Sequence, residues 1–174
     1  MRRWIRIIGG NGGAEIAEAA LVLPIAFMIL LGIYWFGRAF NIVGTINHAA
    51  REGTRVAVAN SCATCGNTPP LAGAIATSID NALQAANMDP GSVIQVPLPT
   101  YASCPNTTLS CTPTNNIYVC QNVQLQSTIP QYSGNPACGI TVDFQYPWQM
   151  ALPFTSINGQ LMKLSAHVQM KVEQ

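Results

Sequence analysis

Apolar residues are not spread evenly along this chain; they gather first into one run, Ala19 to Gly37, that contains no charged side chain. As a helix that run reaches roughly 28 Å, close to the ~30 Å hydrocarbon core of a bilayer. Beyond it the pattern changes. Ile42, Ile46, Ala49, Gly53 and Val56 recur at steps of three and four, which places them on one face of an amphipathic helix. Arg51 and Arg55 fall one turn apart on another face, with Glu52 three residues before Arg55. No stop signal separates the two patterns. A single helix is therefore predicted from Ala14 to about Asn60, with Pro24 as a local fault that membrane helices tolerate.

A loop carrying Cys62 and Cys65 follows, and then Leu71, Ile75, Ile79, Leu83 and Ala86 repeat at helical spacing behind Pro70. This second helix should end near Asn87, because Asp89-Pro90-Gly91 is turn chemistry. The period then drops to two. Val93 to Val96 reads as a short strand stopped by Pro97 and Pro99, Tyr101 to Asn116 as a loop, and Ile117 to Gln126 as a strand. Ile140, Val142, Phe144 and Tyr146 alternate with Thr141, Asp143 and Gln145, and a last strand alternates from Leu164 to Glu173. Strict alternation implies one buried face and one wet face, hence an antiparallel sheet. Either the second helix or the stem at 41–60 would cover the buried face. The expected fold class is α+β: a long N-terminal helix with a span at about 19–37, then an exported head at 61–174 with a helix packed on an antiparallel sheet.

Charge sets the topology. Arg2, Arg3 and Arg6 form a basic tip, whereas residues 39–174 hold four cations against five anions. The basic end should stay cytoplasmic with the remainder outside, in a single-pass protein of the cytoplasmic membrane whose first partner is membrane lipid. A near-neutral head has no footprint for nucleic acid. All six cysteines, Cys62, Cys65, Cys104, Cys111, Cys120 and Cys138, lie beyond the span, where an even number reads as disulfides, with fifteen pairings open. The CxxC at Cys62–Cys65 has no second close pair for zinc and no surrounding thioredoxin-like pattern. His48 and His167 lack a local carboxylate, Asp80, Asp89 and Asp143 stand singly in turn or surface roles, and Trp148 reads as core or rim packing. No catalytic constellation, cofactor motif or metal motif emerges. Asn106-Thr107-Thr108 fits a glycosylation acceptor, a triplet common by chance.

The stretch EAALVLPIAFMILLGIYWFGRAF followed by HAAREGTRVAVA resembles the N-terminal region of TadE-like proteins, minor pilins or pseudopilins of tight-adherence (Flp-type) pili. The shared pattern is a leader ending in Gly13, Glu18 five residues later, Ala20 to Pro24, Phe36-Gly37-Arg38 at the exit, and Ala49 to Arg55. The resemblance implies a pilin-like helix, a leader at 1–13 cut after Gly13 by a prepilin peptidase, and Ala14 as the new N-terminus. It implies that Glu18 sets subunit register against a neighbour's freed amine. A competing frame would cut after Gly10 and use Glu15. Arg51, Glu52 and Arg55 are the candidates for stem contacts. The partners implied are other pilin or pseudopilin subunits and the pilus assembly machinery. The alternative is a membrane-tethered extracytoplasmic binding module that never enters a filament.

Overall fold

The computed structural model describes residues 12–59, 70–125, 137–150 and 161–171. Cys62, Cys65, the basic tip and the strand's end at Val172 and Glu173 lie outside the described residues. The chain divides into two compact units, residues 1–40 and 41–174.

Helix α1 runs uninterrupted from Gly12 to Val58, with Pro24 inside it. Within residues 1–40 its large side chains are open: Leu21, Leu23, Ile25, Ile29 and Ile33 are all exposed. The helix's length and hydropathy suffice to cross a membrane.

In residues 41–174 the second part of α1 does enter a core. Ile46, Ala49, Ala50 and Ala57 are buried with Ile75, Ile79 and Leu83 of α2 (Ala72–Ala85) and with the sheet residues Ile117, Val119, Ile140, Val142, Phe144 and Ala166. The predicted stripe thus holds at Ile46, Ala49 and Gly53, while Ile42 and Val56 are half-buried. Thr54 is fully buried yet satisfied, because its hydroxyl donates to the Ala50 and Arg51 carbonyls at 3.1 and 2.9 Å. Both predicted covers, α2 and the stem, contribute to this core.

Helix α2 stops as the sequence proposed. Asn87 adopts φ +57°, Asn87 N–H donates to Gln84 O, and Met88 N–H donates to Leu83 O, so the last carbonyls are capped by a Schellman arrangement. Asp89 then accepts from the Gly91 N–H, opening a short 3₁₀ turn at Pro90–Ser92.

The sheet is an antiparallel meander of β1 (Ser110–Thr114), β2 (Ile117–Gln124), β3 (Cys138–Gln149) and β4 (Leu161–Lys171), in that spatial order. Two expectations change here. The loop read from Tyr101 to Asn116 contains strand β1, turned into β2 by Asn115 and Asn116, both with positive φ as a two-residue hairpin turn demands. The stretch reads as a loop because it is rich in Pro, Thr, Ser and Asn, yet its Pro113 does not break the ladder. Opposite Tyr118, one step from the closing Thr114–Ile117 pair, it falls where an antiparallel strand directs its N–H away from its partner. Conversely, the strand expected at Val93–Val96 shrinks to one bridge, Ile94 with Gln145, held by backbone bonds of 2.8 and 3.0 Å. Pro97 and Pro99 prevent it from lengthening.

Cys104 pairs with Cys138 and Cys111 with Cys120, the latter directly opposite one another on β1 and β2. One bridge ties the hairpin; the other ties the segment before it to the start of β3.

Candidate functional site

Gly13 and Glu18 are both exposed in the first turns of α1, which begins at Gly12, so the proposed cleavage position and register carboxylate share one helical stretch with Ala14. Glu18 has no hydrogen bond or ion pair among the described residues. Near the far end of the same helix, Arg55 donates to both Glu52 oxygens through Nε at 3.1 and 3.2 Å and through Nη2 at 2.5 Å to Oε1. The hydrogen bond from Arg55 holds the Glu52 carboxyl below its usual range, and Arg55 is raised in turn. Both groups are open to water, which makes the pair a weak contributor to stability. Arg51 is exposed beside it. Of the three stem residues, the structure brings two together and leaves Arg51 facing outward.

Gly53 explains why this part of the helix is built from small residues. A Cβ there would collide with Ile79 Cγ1 and come within 2.6 Å of its Cδ1. Glycine lets the α1 backbone approach Ile79 of α2 at this point, and Ala49, Ala50 and Ala57 are buried in the same core. Ile79 is fully buried, so it has little room to withdraw.

The second face of the sheet departs most from the sequence reading. Thr141 and Asp143 were expected on a wet face, and His167 was expected to lack a carboxylate. In the structure Thr141 and Asp143 are buried. β3 and β4 set Asp143 opposite His167, with His167 Nδ1 at 2.5 Å from Asp143 Oδ1. The Tyr101 hydroxyl donates to Asp143 Oδ2 at 2.7 Å and lies 3.3 Å from His167 Nδ1. Gln95, six residues before Tyr101, donates to the Tyr118 hydroxyl at 2.6 Å. This face is thus covered by the segment around Gln95–Cys104, latched by polar side chains. Among the other acids, Asp89 keeps its turn role, Asp80 accepts from Asn115 at 2.8 Å, and Trp148 is buried as expected of a packing residue.

Burial, reinforced by the Asp143 carboxylate, pushes the Tyr101 phenol well above the ordinary tyrosine range. A raised folded pKa means that folding favours the protonated phenol. The contribution is complete below about pH 10 and is lost as pH rises beyond it. The thermal stability of the wild-type protein should therefore fall above about pH 10 more steeply than that of Tyr101→Phe, measured by circular dichroism on the oxidised protein. Equal slopes for the two proteins would refute the latch.

Residues 13–55 match the family model for TadE-like proteins. That stretch is similar to TadE-like proteins. No curated protein and no solved structure matches the chain. The TadE-like region contains the proposed processing site, Glu18, the apolar run, Gly53 and the Glu52–Arg55 pair. The sheet, both described disulfides and the Asp143 cluster lie beyond it. An apolar N-terminal helix with disulfides fits a membrane-anchored or exported protein. Among the described residues no group of three His, Cys, Asp or Glu side chains could hold a metal ion.

Proposed function

We propose that this chain is a minor pilin or pseudopilin that contributes to assembly of a Flp-type pilus at the bacterial cell envelope. The observation that carries the reading is one continuous helix, Gly12–Val58, bearing in order Gly13, Glu18, an exposed apolar surface and a small-residue stem packed on the head. Residues 1–13 act as a leader that keeps the basic tip in the cytoplasm while the head is exported. A prepilin peptidase cuts after Gly13, removing Arg2, Arg3 and Arg6 and freeing the Ala14 amine. An ionised carboxylate bordering lipid is less well solvated than one in water, so Glu18 gains from a partner of opposite charge. The amine of a neighbouring subunit neutralises it and sets the register. Arg51 and the Glu52–Arg55 pair meet other subunits or the assembly machinery along the stem.

Mass spectrometry of the mature protein checks the processing directly. The expected N-terminal peptide begins at Ala14; recovery of a chain that still begins at Met1 or Arg2 rejects cleavage.

A further inference from the structure

The unpartnered surface of α1 is bracketed by opposite charges. Glu15 and Glu18 stand at one end of the apolar run and Arg38 at the other, all three exposed and none engaged with another described residue. Between them Leu21, Leu23, Ile25, Ile29, Leu30 and Ile33 present an apolar surface with no charge. A surface of that extent is one a partner covers once lipid is gone.

The helical geometry specifies how a second copy would fit. At 1.5 Å and 100° per residue, Arg38 lies about 30 Å beyond Glu18 and about 200° around the helix, and about 35 Å and 140° from Glu15. The two carboxylates therefore straddle the direction opposite to Arg38. Two parallel helices related by a shift along the axis turn opposite faces toward each other. A shift of one apolar run thus brings Arg38 of one copy against Glu15 and Glu18 of the next. Charge balance asks for the same contact. After cleavage the helix start carries one amine and two carboxylates, leaving one negative charge that the Ala14 amine does not cancel. Arg38 is the only cation between there and Arg51.

We propose that copies of this chain dock in parallel along the apolar half of α1, displaced by about 30–35 Å, with Arg38 of one copy paired to the Glu15–Glu18 carboxylates of the next. This rests on the pilin reading above and adds a second, longer-range contact to the Glu18–amine pair.

A benzophenone side chain placed at Ala39 in the full-length protein tests the shift, with the cross-linked position mapped by mass spectrometry. The expected products join position 39 to residues 15–22 of a second copy. Arg38→Glu and Glu15→Lys should each lower the cross-linked multimer at least tenfold, and the double variant should return to within about threefold of wild type. Cross-links to residues 36–42 of the second copy, cross-links to lipid alone, or charge variants without loss or rescue overturn the shift. If such results come from a chain still recovered in sheared multimers, the pilin reading survives them. A wild-type chain that never enters multimers overturns both.

Discussion

Glu18→Ala should reduce incorporation of this chain into surface multimers by about ten- to a hundredfold while leaving its amount in the membrane unchanged or higher. The two effects have opposite signs because the carboxylate does opposite work in the two settings. In the bilayer an ionised side chain beside the apolar run is unfavourable, so removing it eases insertion. In an assembly the same group meets an amine, and a charge-assisted hydrogen bond contributes about 1.5–3 kcal/mol, or roughly one to two powers of ten in association. Quantifying the chain in membrane and multimer fractions separates this from misfolding, which would lower both. Unchanged incorporation would contradict the assigned role of Glu18.

Gly53→Leu should destabilise the head by about 3 kcal/mol and lower its midpoint of thermal unfolding by about 10 °C. The new side chain would have to occupy space held by Ile79 and, further along, Ile75. Neither can retreat, since both are fully buried between α1, α2 and the sheet. Because α1 continues without a break, the same substitution should also loosen the stem from the head. Differential scanning calorimetry of a detergent-solubilised protein measures the shift. A change under 2 °C would mean that α1 does not approach Ile79 of α2 as described.

The long helix, α2 with its stop at Asn87, and the two later strands were legible because each is a regular period in the sequence closed by recognisable chemistry. What escaped was set by pairing between distant segments. The β1 strand hid within a segment rich in Pro, Thr, Ser and Asn, where Pro113's missing donor is harmless at its register position. The wet face was misread because alternation says which residues share a side but not whether another segment covers it. Tyr101 lies 42 residues before Asp143, and His167 lies 24 after it. Only the β3–β4 register and the path from Gln95 to Cys104 bring the three together. At the N-terminus the balance is reversed. Gly13, Glu18, the apolar run and the Ala49–Arg55 motif follow one another on a single helix, so their spacing was readable directly. Gly53 was placed on the correct face, although its contact with Ile79 needed α2.

Shearing surface fibres from cells and comparing the amount of this chain in the fibre and envelope fractions tests the central claim most directly. Assembly as a pilus subunit predicts a chain in the sheared fraction with Ala14 at its N-terminus. A chain found only in the envelope, with its leader intact, would contradict that account and describe a membrane tether instead.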